Sequence, residues 1–178
     1  MPDNISELFC EILSGAVLII VLVFACDVAG ATSLDAVWTM MKARVSLGDI
    51  AAVLVVCYLL GLIMDAFGLA IGELFLDDFI DSDVPTQAQR TSFLQTVPEH
   101  MLRYRDHQWT YYSAYRNLLL LLVPGAPLAS IVAGRRGGVP AAIVVIVAAI
   151  VLAWVLWRSM VALLGIYFRL TKVAYAQK

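Results

Sequence analysis

The stretch that decides the fold is Ile50–Gly72, IAAVLVVCYLLGLIMDAFGLAIG, an apolar run in which Asp65 is the only charged residue. Its length matches the roughly 20 residues that a helix needs to cross a bilayer core. Three glycines step around the aspartate by four, three and four, as Gly61, Asp65, Gly68 and Gly72. On a helix these positions lie within an arc of about 60°. The run therefore predicts a membrane helix with one reserved face, which packs closely on another helix or lines a polar path.

The composition of the whole chain indicates a membrane protein. Of its 178 residues, 62% are hydrophobic, and the mean hydropathy is +0.87. Soluble domains contain about 45–50% apolar residues, so a single domain of this size would leave much apolar surface for lipid to cover. The net charge of −2 gives no reason to expect direct nucleic-acid binding. No catalytic, metal or cofactor motif is recognisable, and the sequence predicts a non-enzymatic protein without a cofactor.

Four apolar segments are long enough to be transmembrane helices. They cover about residues 12–31, 50–75, 117–134 and 138–168. The expected fold is therefore all-α, a single membrane domain over residues 1–178. Pro124, Gly125 and Pro127 predict a kink or a break in the third helix. The glycine-rich run Gly134–Gly138 predicts a tight hairpin, which makes the third and fourth helices antiparallel neighbours.

The polar region between the second and third helices, residues 76–116, predicts a short helical cytoplasmic layer. With four crossings, this region and both termini lie on one side of the membrane. That side carries eight of the twelve basic residues, and the other side carries four. The positive-inside rule then places both termini in the cytoplasm.

The fourth segment carries a second stripe at helical spacing, now basic: Arg158, Ala162, Gly165 and Arg169. If the second and fourth helices run side by side, Asp65 aligns with Arg158 and Gly72 with Gly165. A charge inside a membrane is expensive unless it is paired. The sequence therefore predicts an intramembrane Asp65–Arg158 pair, within a protomer or between protomers.

Two alternatives to this pair stay open. Arg158 could mark the membrane boundary while Asp65 faces water. Asp65 could also form a cation or proton site in the pore of an oligomer.

Further charged residues are candidates for secondary contacts. Asp27 could pair with Arg135 or Arg136, which lie on the same side, or contact interfacial water instead. Asp77 aligns within one residue of Arg169. The acidic run that begins at Asp77 lacks the glycine and glutamate of a calcium-binding loop, which favours a solvated turn.

The pattern Tyr112-x-x-Tyr115-Arg116, which enters a helix hairpin followed by a basic helix, resembles small membrane proteins of bacterial conflict systems, the SLATT-type effectors and Csx28-type pore proteins. The likeness covers about a third of the chain, which carries two more apolar helices in front. The resemblance implies an oligomeric pore that perturbs the bacterial inner membrane.

The expected function is thus an oligomeric, channel-like membrane protein, a defence-type effector if the resemblance holds. The alternative is a non-catalytic accessory or scaffolding subunit of a larger membrane complex. The expected partners are the lipid bilayer and either further copies of the chain or other membrane subunits.

Overall fold

A computed structural model describes residues 3–42, 46–76 and 99–176. The described residues are helical with short connections and contain no strand. Four helices follow one another: α1 (Asp3–Val28), α2 (Leu34–Lys42), α3 (Leu47–Leu76) and α4 (Glu99–Ala176). Most of the predicted cytoplasmic layer, residues 77–98, lies outside the described residues. Its last part belongs to α4, which runs without interruption from Glu99 into the apolar sequence.

Helices α1 and α3 pack against each other without intervening side chains at two points. Gly15 of α1 lies against the backbone of Cys57, and Gly61 of α3 lies against the backbone of Glu11. The contacts run in opposite chain directions, so the two helices are antiparallel. A methyl group at either glycine would overlap the neighbouring backbone, which explains why small residues occupy this crossing.

Helix α4 reverses direction at Gly138, whose φ of 72° and ψ of −173° are non-helical. Only glycine adopts this conformation readily. The two arms, residues 99–137 and 139–176, are antiparallel, because the Trp109 and Tyr167 rings lie 5.3 Å apart. The reversal falls at the last residue of the predicted Gly134–Gly138 turn.

The expected break at the proline cluster is not found. Pro124 and Pro127 both lie inside α4, and Gly138 is its only residue with non-helical dihedral angles. Each proline removes one backbone donor, but an apolar helix tolerates this loss when neighbouring groups satisfy the freed carbonyls. The carbonyls that lose a donor are those of Leu120 and Val123, four residues before each proline. The Ser130 hydroxyl donates to the carbonyl of Pro127 itself, at 2.8 Å.

The first arm of α4 packs parallel to α1. Ser6 lies 3.4 Å from His107, and a methyl group at Gly125 would lie 3.0 Å from Val21. The bundle therefore has two ends. The N-terminal end holds the start of α1, the end of α3 and both ends of α4. The turn end holds Gly30, α2, the start of α3 and Gly138.

The outer surface of the bundle is apolar. Three described helices are long and apolar enough to cross a membrane, over Ile5–Val28, Leu47–Ile71 and Glu99–Tyr167, and the third contains both arms of α4. The most apolar 18-residue stretches of these helices have mean hydropathies of 2.7, 2.5 and 2.9. Only 17%, 17% and 6% of these stretches are buried inside the bundle. Apolar side chains thus face outward far more than they form a core.

Candidate functional site: a buried charged cluster

Asp65 lies at the centre of a polar cluster where α3 meets α1 and α4. Arg116 Nη2 donates to Asp65 Oδ1 at 2.7 Å and to the Asp65 backbone carbonyl at 3.2 Å. Asn117 Nδ2 donates to the same Oδ1 at 3.4 Å. Arg116 is 6% exposed and Asn117 is 1% exposed. The carboxylate, the guanidinium and the amide thus form one connected network.

Gly68 provides the space for this network. A methyl group at Gly68 would lie 2.5 Å from Asn117 Oδ1, 2.6 Å from Arg116 Nε and 2.8 Å from Arg116 Nη2. A side chain at the position one turn after Asp65 would therefore displace these two polar groups. The glycines around Asp65 have distinct roles: Gly61 admits the backbone of α1, and Gly68 admits two polar side chains of α4.

A second carboxyl group, that of Glu11, reaches the cluster from α1. Its backbone rests on Gly61, and the residue is only 9% exposed. Oε2 is buried and has no hydrogen-bond partner among the described residues. The charged residues whose fields act on this carboxyl are Asp65, Glu7 and Arg116.

Uncharged polar and aromatic side chains are also buried on α1 and the first arm of α4. They include Ser14, Gln108 and Ser113. The buried Tyr112 ring has its centroid 5.9 Å from the Arg116 guanidinium carbon, at the outer limit of a cation–π contact. The cluster combines two carboxyl groups with one guanidinium. When all three groups are ionised, the cluster carries a net charge of −1.

The structure does not bring Asp65 to its predicted partner, Arg158, within the chain. Asp65 pairs with Arg116, and Arg158 is exposed on the second arm of α4. Counting nine residues along each arm from the Trp109–Tyr167 contact places Arg158 level with Leu118. Arg158 therefore lies at the depth of the cluster but on the outer surface. The pair does not form within the described chain, and an Asp65–Arg158 pair between protomers stays a prediction.

The predicted contacts at the turn end take a different form. Asp27 accepts the backbone N–H of Leu34 at 2.9 Å. Arg135 donates to the Asp27 backbone carbonyl at 3.3 Å and not to its carboxylate. Arg136 pairs with Asp35 at 3.1 Å. The two arginines thus bind the end of α1 and the start of α2.

The remaining predicted residues are not brought together. A methyl group at Gly165 would meet nothing within 4 Å, and Ala162 is exposed. Gly72 and Arg169 lie in α3 and α4, but their surroundings fall outside the described residues, and Asp77 lies outside them entirely. The proposed approach of Gly72 to Gly165 stays a prediction.

Sequence reasoning missed Glu11, Arg116 and Asn117. Glu11 directly precedes the first apolar segment and Arg116 directly precedes the third. Such positions at the edge of an apolar segment are typical of charges that flank a bilayer core. The signal that could have identified Arg116 and Asn117 is that two polar residues follow each other inside one continuous helix.

The described residues bring no three His, Cys, Asp or Glu side chains close enough to hold a metal ion. No protein-family profile, curated protein or solved structure matches the chain. The function is therefore argued from the geometry of the cluster.

Proposed function

We propose that the protein is a non-catalytic, oligomeric channel-like protein of the bacterial inner membrane, and that the charged cluster belongs to its ion path. The observation that carries this proposal is the Asp65–Arg116–Asn117 network with the unsatisfied Glu11 carboxyl inside an apolar bundle. Ionisable groups in membrane helices are costly and typically mark ion or proton pathways.

The antiparallel geometry supports a chain that crosses the membrane four times. The first arm of α4 contains the uncharged segment 117–134 and the second arm contains the segment from 138 to Trp157. With about 1.5 Å of rise per residue, each arm can span a bilayer core of about 30 Å. Both termini then lie on the more basic side, which we assign to the cytoplasm.

The cluster lies close to that cytoplasmic side. In the structure the membrane-length part of α1 begins at Ile5, and Glu11 lies six residues, or about 9 Å, further along the helix. Ions would therefore reach the cluster from the cytoplasm over a short distance. The rest of the path would form between protomers, because the described part of one chain shows no polar lining beyond the cluster.

Ion flux through reconstituted liposomes tests this proposal. We expect flux with the natural protein and a decrease of at least about tenfold for Asp65→Asn. Asp35→Asn is the matched control, because Asp35 also pairs with an arginine but is exposed at the turn end. Absence of flux with the natural protein, or equal flux with Asp65→Asn, would contradict the proposal.

A second candidate, an accessory subunit of a larger complex, is favoured by the outer face of the second α4 arm. Arg158 and Ala162 are exposed there, and Gly165 has open space beside it. No described contact pairs this arginine within its own chain, and an arginine at this depth favours an acidic partner on another helix. Native mass spectrometry from mild detergent separates the candidates. Rings of one polypeptide support the channel, and a stoichiometric foreign subunit supports the accessory role.

The resemblance to conflict-system proteins extends the channel proposal to a defence effector. In that role the open channel would dissipate the membrane potential of the host cell. Induced expression with a potential-sensitive dye measures this effect, and depolarisation that Asp65→Asn abolishes is the expected result. An unchanged potential would remove the defence role.

A further inference from the structure

The charge balance of the cluster leaves one carboxyl group without a counterion. Arg116 directs Nη2 to both the carboxylate and the backbone carbonyl of Asp65, and Asn117 adds a further donor to the same carboxylate. Arg116 Nε and Nη2 also donate to Asn117 Oδ1, at 3.3 and 3.2 Å, so these donors serve Asp65 and Asn117. Glu11, with its buried Oε2, receives none of them.

The groups that face Glu11 do not neutralise a carboxylate at this position. Glu7 on its own helix and Asp65 on α3 are both acidic, and Arg116 on α4 is engaged by Asp65. His107 lies further toward the N-terminal end, where it contacts Ser6. An unpaired carboxylate in a poorly solvated site loses several kcal/mol of hydration energy without compensation, so another positive species must accompany Glu11.

A metal cation fits this position poorly. Hard cations take six or more oxygen ligands, whereas no three acidic, histidine or cysteine side chains converge here among the residues with described surroundings. The second acidic group, Asp65, already uses Oδ1 for two donors. A proton needs one oxygen atom only, and Glu11 Oε2 provides it.

We propose that Glu11 is a proton-binding site, and that the ion handled by the cluster is the proton. The step is a simple transfer: Glu11 Oε2 forms an O–H bond with a proton from hydronium, which leaves as water. Release becomes favourable when the Arg116 guanidinium moves from Asp65 toward Glu11. The proton site follows from the geometry, and its role as the conducted species rests on the channel function proposed above.

Infrared spectroscopy of the protein in lipid nanodiscs tests the proton site directly. A protonated carboxyl group has a C=O stretch separate from the amide bands. At neutral pH we expect one such band, which shifts when glutamate is labelled with ¹³C and disappears in Glu11→Gln. The band should persist in Asp35→Asn, because the exposed carboxylate of Asp35 does not contribute to it in the natural protein. Absence of the band in the natural protein, or its persistence in Glu11→Gln, overturns the proposal.

Two more variants test the sharing of Arg116. In Asp65→Asn the guanidinium is free to pair with Glu11, so the band should disappear although Glu11 is present. In Arg116→Gln both carboxyl groups lose their cation, so a second protonated carboxyl should appear. Circular dichroism establishes that each variant is helical. A band unchanged in both helical variants overturns the shared role of Arg116.

Replacing Na⁺ and K⁺ with choline separates protons from metal cations. We expect the band to be unaffected, whereas a band that grows without alkali ions would show a cation on Glu11 and overturn the proposal. The spectra do not depend on conduction. A Glu11 band without ion flux through liposomes would contradict the channel function and leave the proton site. Flux without the band would contradict the proton site and leave the channel function.

Discussion

At the level of single residues, the missing side chain of Gly68 is what allows Asp65 and Arg116 to meet. The guanidinium and the Asn117 amide occupy the space that a side chain would fill. Both groups are buried and polar, so displacing them would break hydrogen bonds that no other described group replaces. The cost of added volume at this position is therefore electrostatic as well as steric.

We expect Gly68→Ala to destabilise the protein by about 1–3 kcal/mol, because the methyl group overlaps both polar side chains. The matched control is Gly165→Ala, where the same methyl group meets open space and the change should stay within about 0.5 kcal/mol. The midpoint of thermal unfolding in detergent measures both. Equal midpoints for the two variants would contradict the described packing at Gly68.

The Asp65–Arg116 pair should contribute far more than the other ion pairs of the chain. We expect Arg116→Gln to cost about 3–5 kcal/mol, since it leaves a partly buried carboxylate unpaired. Arg136→Gln is the control, because its partner Asp35 is exposed and such pairs contribute about 0–1 kcal/mol. Adding Asp65→Asn to Arg116→Gln should restore part of the loss. A double variant as unstable as the sum of its single changes would contradict a direct pair.

The special status of Asp65 could be predicted from sequence, and its partner could not. The spacing of Gly61, Asp65 and Gly68 fixes one face of a helix, since it depends on helix geometry alone. Which helix covers that face depends on packing between distant segments. Arg116 and Arg158 lie at a similar depth, and only the packing of the two α4 arms decides which of them points inward.

At the level of elements, α4 is one long helix folded back on itself at a single glycine. The sequence predicted the position of this hairpin because glycine is the residue that tolerates a positive φ. It left open whether Pro124 and Pro127 kink the helix or break it, since the effect of proline depends on how neighbouring groups satisfy the backbone.

A disulfide bond tests the hairpin. A Cβ at Gly134 would lie 3.5 Å from the Cβ of Ala142, within the distance that a disulfide needs. In a background without the three native cysteines, Gly134→Cys with Ala142→Cys should cross-link readily under mild oxidation. Ala126→Cys with Gly134→Cys has the same sequence separation within one arm, where about 12 Å separate the positions. Equal cross-linking of the two pairs would contradict a reversal at Gly138.

At the level of the whole molecule, the bundle has few buried residues for its size. Among the described residues, the buried polar and charged side chains lie on α1 and the first arm of α4, whereas the buried apolar residues are scattered along α1, α3 and both arms of α4. In water, a chain that leaves so much apolar surface exposed would gain little free energy from folding, because little of that surface is buried. The proposed bilayer would cover this surface, while the polar network determines which helices face one another.

The antiparallel arrangement makes a specific prediction for membrane topology. Val139 lies at the turn end next to Gly138, and Leu47 begins α3 at the same end, whereas His100 lies at the N-terminal end. In a cysteine-free background, we expect Val139→Cys and Leu47→Cys to react with an impermeant maleimide added to intact spheroplasts. His100→Cys should react only after lysis, because four crossings place the N-terminal end in the cytoplasm. The inverted pattern would retain four crossings and refute the orientation. If Val139→Cys and His100→Cys were labelled under the same condition, both positions would lie on the same side of the membrane. That result would refute the two crossings of α4.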